Sequence, residues 1–149
     1  MTLSSNGWRI FVHPLFEQQF QQLQLKAARA IMRLGEDAIN HSAVKMTQRL
    51  HDLMFSVIPR DPGDPMFRLG ATLGDTNKNW FRAKLFGQYR LFYRYNSQMK
   101  IIVYVWVNGD ESLRAYESKH DAYLTFKKML ASGYPPTDWQ DLLEDSKEL

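Results

Sequence analysis

The alternation of apolar and polar residues is clearest between Trp80 and Asn108, where it predicts three consecutive β-strands. Side chains two residues apart share one face of a strand, so a strand has a period of two. The predicted strands are Trp80–Phe86, Tyr89–Tyr95 and Ile101–Asn108. The third is almost wholly β-branched or aromatic, which is typical of a strand covered on both faces. Short polar breaks separate the three segments and suit hairpin turns.

Four basic side chains follow this alternation. Arg82 and Lys84 fall on one face of the first strand, and Arg90 and Arg94 share a face of the second. Apolar residues take the opposite face of each strand. If both hairpins form, the four cations crowd onto one surface of the sheet. We expect this surface to bind and cleave an RNA backbone.

A helical period precedes the strands. From Phe16 onward apolar residues recur every three or four positions, which predicts an amphipathic helix that begins at Pro14 and ends at Gly35. A second helix with the same period begins at Asp37 or Ser42 and ends before Pro59. The apolar sides of the two helices are expected to pack on each other and on the sheet.

Shorter elements complete the chain. Gly7–His13 predicts a short strand at the sheet edge, and the proline- and glycine-rich stretch Pro59–Asn79 predicts a loop. Gly109–Lys119 is expected to be a polar turn or short helix. Asp121–Leu130 predicts a further helix. Thr137–Leu149 predicts one or two acidic helical turns with frayed final residues.

Composition indicates one globular domain, residues 1–149. The chain has 149 residues, 44% of them hydrophobic, and contains no cysteine. A core of useful size is therefore available, while disulfides and thiolate chemistry are excluded. No apolar run approaches a membrane span, and the N-terminus lacks the pattern of a signal peptide. We therefore expect a cytoplasmic protein that does not contact the membrane.

The positive charge is concentrated on the predicted sheet and the segment after it. The net charge is +3, but residues 78–128 carry ten lysines and arginines against four acidic residues. Residues 1–77 are close to neutral, and residues 129–149 are acidic. A basic patch on one element is the expected footprint of a polyanionic partner, although a solvated sheet face gives the same pattern.

Several kinds of catalytic site have no local support. The chain has no HExxH, GxSxG or CxxC motif and no dinucleotide-binding glycine pattern. The four histidines are scattered, without an accompanying carboxylate cluster, and are expected to be surface or capping residues rather than metal ligands. They are His13, His41, His51 and His120. His120 alone lies near the basic segment, so a general acid–base role for it stays open.

The basic segment suits cleavage of RNA without a metal or other cofactor. In that reaction the 2′-hydroxyl attacks the adjacent phosphate, and fixed cations stabilise the added negative charge. Arginine suits this because its planar fork matches phosphate oxygens. One group must also accept a proton and another must donate one. The candidate residues are Arg82, Lys84, Arg90, Arg94, Arg114, Tyr116 and Lys119.

An ordered series of short motifs runs through nearly the whole chain. They are NGW (Asn6–Trp8), HPxF (His13–Phe16), FRxG (Phe67–Gly70), WxRxK (Trp80–Lys84), YRLFxRY (Tyr89–Tyr95), LRxY (Leu113–Tyr116), DAY (Asp121–Tyr123) and PPxDW (Pro135–Trp139). With this series the chain resembles the YhaV family, the toxins of PrlF–YhaV type II toxin–antitoxin pairs, within the RelE-like ribonuclease superfamily.

The resemblance implies an α+β fold of the RelE-like kind. Two N-terminal helices would pack on a small antiparallel sheet, with short helices at the C-terminus. It also implies a toxin that cleaves mRNA, free or on the ribosome, and inhibits translation and growth. The implied partner is a PrlF-like antitoxin with an AbrB-type domain, and operator DNA would be bound only through the toxin–antitoxin complex.

The resemblance also suggests roles for individual residues. Arg82 and Arg90 would hold the scissile phosphate, assisted by Arg114. Lys84 and Tyr116 are candidates for proton transfer, with acid and base unassigned. A further set would bind the RNA: Arg94 and Lys119 at the backbone, and Trp80 by stacking on a base, although core packing is the alternative for Trp80.

Two other classes of function are compatible with the same residues. One is a translation inhibitor that binds RNA or the ribosome without cutting, or a component of a transcriptional repressor complex with the antitoxin. The other is a structural α+β protein whose basic face only keeps it soluble. Cleavage assays on RNA separate the nuclease from both.

Overall fold

The structure, a computed structural model, describes residues 4–109 and 121–149. The expected turn or helix at Gly109–Lys119 lies almost entirely outside the described residues, together with Arg114, Tyr116, Lys119 and His120. The rest of the chain forms an α+β fold around one mixed sheet. The described helices include none that is both long enough and apolar enough to cross a bilayer.

The sheet contains the three predicted strands and three more. The strands are β1 (Ser4–Ser5), β2 (Trp8–Val12), β3 (Phe81–Leu85), β4 (Tyr89–Asn96), β5 (Ile101–Val107) and β6 (Lys147–Glu148). Their order is β1-β2-β5-β4-β3, and β6 pairs with β2 beside β1. The two predicted hairpins, β3–β4 and β4–β5, are antiparallel.

Two expectations about the sheet are wrong. The strand predicted as Gly7–His13 is not at the edge: β2 lies between β5 and the short strands β1 and β6. Its pairing with β5 is parallel, so the sheet is mixed rather than antiparallel. The physical reason is the long connection through the helices, after which β3 runs in the direction of β2. Two antiparallel hairpins later, β5 has the direction of β3 and therefore of β2.

The helices lie in two groups. They are α1 (Pro14–Leu34), α2 (Ser42–Asp52), α3 (Ile58–Arg60), α4 (Ala122–Ser132) and α5 (Trp139–Asp145). Short 3₁₀ turns occupy Gly35–Asn40, Pro65–Phe67 and Asp75–Asn77, and a π-turn, Leu53–Val57, joins α2 to α3. As predicted, α1 begins at Pro14 and ends before Gly35, which adopts a positive φ of 59°.

Each face of the sheet is covered by its own core. One core joins α1 and α2 to alternate residues of the strands, including Phe16, Leu50, Tyr93 and Tyr104. The other joins α4 and α5 to the opposite face through Phe92, Trp106, Phe126 and Leu142, among others. All seven residues of β5 are buried, which confirms the prediction of a strand covered on both faces.

A β-bulge in β5 allows one strand to serve both cores. Phe92 of β4 pairs with Trp106, and Tyr93 pairs with Tyr104, so Val105 is an extra residue without its own partner. Val105 and Trp106 consecutively enter the core under α4, whereas Val107 returns to the core under α1. The bulge therefore shifts the alternation by one residue near the end of the strand.

The C-terminus is held against the sheet, so the prediction that the final residues fray is wrong. Glu148 accepts two hydrogen bonds from the Arg9 guanidinium, at 2.6 and 2.9 Å. The Leu149 amide donates to the Ile10 carbonyl at 2.9 Å. Backbone pairing with β2 and a charged partner together order a segment whose composition alone suggests disorder.

The helix predicted to end before Pro59 instead continues to Arg60 through the π-turn. The Ile58 amide donates to the Leu53 carbonyl, five residues earlier. The matching donor for the Met54 carbonyl would be Pro59, which has no N–H. The hydroxyl of Tyr104, on β5, donates to that carbonyl instead, at 2.7 Å. A buried tyrosine of the sheet thus completes the backbone bonding of the helix.

We predict that Tyr104→Phe destabilises the fold by about 1–3 kcal/mol, because it leaves the buried Met54 carbonyl without a donor. The free energy of unfolding from urea titration measures this. Tyr134→Phe is the matched control, since Tyr134 is 49% exposed. A Tyr104→Phe protein as stable as the control would contradict this account of the helix end.

His13 is a capping residue, as predicted. Its Nδ1 accepts from the Leu15 amide at 3.2 Å at the start of α1, and its side chain is fully buried. Its Nε2 lies 3.5 Å from an Asp145 oxygen. Burial lowers the pKa of His13, and Asp145 only partly opposes this. Protonation of Nδ1 would also remove the acceptor that caps the helix.

The lowered pKa of His13 predicts that stability falls on acidification. The neutral imidazole stabilises the fold at pH values above the unfolded pKa of about 6.5, and this contribution is lost as pH falls further. His13→Asn keeps a capping oxygen but cannot titrate. Between about pH 7.5 and about pH 5.5, the unfolding free energy should therefore fall more for the natural chain than for His13→Asn. Equal falls would show that His13 does not contribute to the pH dependence.

Candidate active site

The site begins with the turn that joins β3 to β4. The alternation places Arg82, Lys84 and Arg90 on the sheet face that α4 covers, as the sequence predicts. Lys84 and Arg90 are direct cross-strand partners, and Arg82 is opposite Phe92. Three cations therefore lie together at one end of the hairpin.

Tyr123, in the first turn of α4, joins two of these cations. Its hydroxyl oxygen accepts from Nε of Arg82 at 2.9 Å and from Nε of Arg90 at 2.9 Å. The Arg90 guanidinium also lies over the Tyr123 ring, 5.7 Å from its centre. One hydroxyl thus fixes the orientation of both guanidinium groups relative to each other.

Backbone carbonyls accept from a further nitrogen of each arginine. Nη1 of Arg90 donates to the carbonyls of Gly87 and Tyr89, at 2.7 and 2.9 Å. Nη1 of Arg82 donates to the carbonyls of Met66 and Arg68, at 3.0 and 3.2 Å. The loop predicted at Pro59–Asn79 therefore supplies acceptors to the site.

No carboxylate of the described residues forms an ion pair with Arg82, Lys84 or Arg90. Arg90 is only 7% exposed, and burying a charge is costly unless an opposite charge or several hydrogen bonds accompany it. Within the described residues the acceptors are neutral oxygens, which orient the guanidinium groups without compensating their positive charge. Such an arrangement favours an anion with several oxygens, such as a phosphate.

Asn108 fixes the backbone of the turn between β3 and β4. Its side-chain oxygen accepts from the Arg90 amide at 2.6 Å, and its side-chain nitrogen donates to the Gln88 carbonyl at 3.1 Å. Asn108 follows the last residue of β5, so it ties the β3–β4 turn to the neighbouring strand. Its position is a consequence of the bulge at Val105, which shifts the end of β5 by one residue.

Arg94 shares the face of Arg90 but not its site. It is 5% exposed and lies between two indole rings, its Cζ 5.3 Å from the centre of Trp80 and 5.8 Å from that of Trp139. Its Nη1 donates to the Thr137 carbonyl at 2.6 Å. Burial lowers its pKa. Of the four cations expected on one surface, Arg82, Lys84 and Arg90 therefore lie together. Arg94 instead fastens the segment before α5 to the sheet.

Trp80 is fully buried, with its Nε1 donating to the Thr137 hydroxyl at 3.1 Å and its ring against Phe126. No face of the indole is open to a nucleotide base. The expectation that Trp80 stacks on RNA is therefore corrected: the core-packing alternative holds.

Arg114, Tyr116 and Lys119 lie outside the described residues, so their roles stay predictions.

His41 is a capping residue, in agreement with the expectation that the histidines are surface or capping residues. Its Nδ1 caps α2 by accepting from the Ala43 amide at 3.1 Å. Among the described residues, no group of three or more histidine or acidic side chains is placed to hold a metal ion.

Sequence reasoning missed Tyr123 and Asn108. Tyr123 lies on the apolar side of its helix with Phe126 and Leu130, where its ring packs, and such a position is typical of a core residue. The available signal was its position two residues after Asp121, which caps α4 and so puts Tyr123 in the first turn. The signal for Asn108 was a polar residue directly after an apolar strand.

The comparisons with known proteins agree on one family. A family of toxins with endonuclease activity, the YhaV toxins of toxin–antitoxin systems, matches residues 10–147. The ribonuclease toxin YhaV of Escherichia coli K12 is 38% identical over 148 residues, which cover 96% of this chain and 94% of the relative. Toxin YhaV of Escherichia coli O6:H1 is similar to the same extent. The chain therefore belongs to the YhaV family of toxins with endonuclease activity.

Proposed function

We propose that this chain is an endoribonuclease that cleaves mRNA and thereby inhibits translation and growth. The observation that carries the proposal is the pair Arg82 and Arg90, held by one hydroxyl and without a carboxylate partner among the described residues. Endonuclease activity follows from the chain's membership of a family of toxins with this activity. RNA as the substrate is supported by the name of the Escherichia coli K12 relative, a ribonuclease toxin.

The proposed reaction needs no metal and no cofactor. The 2′-oxygen of a ribose attacks the adjacent phosphorus and loses its proton, and the bond from phosphorus to the 5′-oxygen breaks. The 5′-oxygen takes up a proton, so the products are a 2′,3′-cyclic phosphate and a 5′-hydroxyl. Negative charge builds up on the phosphoryl oxygens between these events, and Arg82 and Arg90 stabilise it.

We assign the two proton transfers to Lys84 and Tyr116. Lys84 is exposed and is the cross-strand partner of Arg90, so its ammonium group is within the same cluster. Three residues outside the described part of the chain enter on the sequence: Tyr116 and Arg114, which the family resemblance also implies, and Lys119. Arg114 would assist at the phosphate, and Lys119 would bind the RNA backbone.

We extend the proposal to the fold and the partners of the family. The chain would be a single RelE-like toxin domain, residues 1–149, that works in the cytoplasm, where mRNA is translated. Its partner would be a PrlF-like antitoxin with an AbrB-type domain, and the complex, rather than the toxin alone, would bind operator DNA. The helices α1 and α2 on one face of the sheet support the RelE-like arrangement.

Purified protein should cleave RNA in the presence of EDTA and leave fragments that end in a cyclic phosphate. Arg90→Ala should lower the cleavage rate by about 10²–10³-fold, since it removes a cation that acts on the transition state, and should abolish growth inhibition. Cleavage is measured on end-labelled RNA, and thermal melting checks that the variant folds.

Arg49→Ala is the matched control, because Arg49 is on the far side of the molecule on α2, paired with Asp52. Intact RNA combined with blocked translation would overturn the nuclease and support a binder that does not cut. Cleavage that requires a metal would overturn the cation-cluster mechanism only.

Tyr123→Phe should keep the ring in its core but lower kcat by about 10–100-fold, because both guanidinium groups lose the acceptor that orients them. We expect KM to change less than kcat, since the arginines act on charge that develops in the transition state. Tyr134→Phe is the control. A Tyr123→Phe protein with unchanged kcat would remove the hydroxyl from the positioning of the site.

A further inference from the structure

The outer side of α1 carries apolar side chains that the described part of the chain leaves uncovered. Leu25 is 57% exposed, Ile31 52% and Met32 87%. The inner side of the same helix segment is already packed, because Ala27 and Ala30 are buried against the 3₁₀ turn and α2. The distal half of α1 therefore has two apolar sides, and only one of them has a partner.

The exposed residues form one stripe. At 100° per residue, Leu25, Ala28, Ile31 and Met32 fall within an arc of about 120°. This is the width of the apolar stripe by which an amphipathic helix packs. Of the ten large apolar side chains exposed in the described residues, five lie between positions 25 and 39. They are Leu25, Ile31, Met32, Leu34 and Ile39. Leu25, Ile31 and Met32 lie on the stripe itself, and a group of exposed apolar side chains on one helix face is typical of an interaction surface.

A basic stripe lies beside the apolar one. Lys26, Arg29 and Arg33 fall within an adjacent arc of about 60° and are exposed. No acidic residue occurs between positions 18 and 35. None of the three cations forms an ion pair with the described residues. The surface thus offers an apolar stripe edged by uncompensated positive charge.

The charge pattern decides between two kinds of occupant. In a symmetric antiparallel pair of α1 helices the basic stripe of one copy would meet that of the other, and like charges brought together oppose association. An acidic amphipathic helix has no such conflict. Its apolar side would cover Leu25 and Met32, and its carboxylates would lie against Arg29 and its neighbours.

We propose that the outer side of α1 docks an acidic amphipathic helix of the antitoxin. The proposal rests on the proposed function only in that it takes the antitoxin as the partner. The surface is on the opposite face of the sheet from Arg82 and Arg90, because α1 and α4 cover opposite faces. Variants of this surface are therefore expected to leave the nuclease activity unchanged.

Calorimetric titration with the PrlF-like antitoxin of the proposed function tests the proposal. The double variant Arg29→Glu/Met32→Glu should bind the antitoxin at least about tenfold more weakly, with unchanged melting temperature and RNA cleavage. Met99→Glu is the matched control, since Met99 is 47% exposed on the turn after β4. Arg29→Gln alone should reduce the dependence of the affinity on salt.

The outcomes separate the two proposals. If the natural toxin binds the antitoxin and the double variant binds it within twofold of the same affinity, the docking proposal fails and the proposed function stands. If the natural toxin binds no antitoxin, the toxin–antitoxin assignment fails, and the docking proposal fails with it. Self-association of the toxin alone that Arg29→Glu/Met32→Glu abolishes would assign the surface to a second copy and overturn the proposal.

Discussion

The interaction on which the site depends is the pair of hydrogen bonds from Arg82 and Arg90 to the hydroxyl of Tyr123. Arg90 is almost fully buried, and a buried guanidinium without an opposite charge is unfavourable unless its donors are satisfied. Among the described residues, neutral oxygens accept from Nε and Nη1 of Arg90. This solution keeps the positive charge available to a ligand, whereas a carboxylate partner would cancel it. Burial of Arg90 without a carboxylate partner among the described residues is therefore unfavourable for folding but keeps a positive charge in the site.

The fold supplies each oxygen from a different part of the chain. The phenol comes from α4, the carbonyls that bind Arg90 from the β3–β4 turn, and those that bind Arg82 from the long loop before β3. Asn108 then ties the turn to β5. Because these contributors are distant in sequence, the site exists only when the sheet, the loop and α4 are all in place.

The features that depend on residue spacing within one strand or one helix could be predicted from the sequence. Alternation by two residues correctly placed Arg82, Lys84 and Arg90 on one face, and helical spacing with Pro14 and Gly35 gave the bounds of α1. Whether a residue on the correct face is accessible does not follow from alternation. Arg94 satisfies the same pattern as Arg90, but Thr137 and two tryptophans cover it.

The errors concern contacts between distant segments. The parallel pairing of β2 with β5 and the docking of β6 are decided by backbone hydrogen bonds across most of the chain, and no short pattern encodes them. Tyr123 was missed for a related reason. An aromatic side chain on the apolar side of a helix usually packs in the core. The role of the Tyr123 hydroxyl becomes visible only in the folded structure, where β3 and β4 place Arg82 and Arg90 next to it.

The two surfaces proposed here lie on opposite sides of one sheet, and this separation limits how an antitoxin could act. A helix bound to the outer side of α1 would not reach Arg82 or Arg90 directly, because β4 and both cores lie between. It would serve as an anchor, and a second segment of the same partner would have to cover the cations. Joining two modest contacts through one chain raises the total affinity well beyond either contact alone. The basic face proposed to bind RNA would then be covered by a second, acidic segment, since opposite charges attract there as they do with RNA.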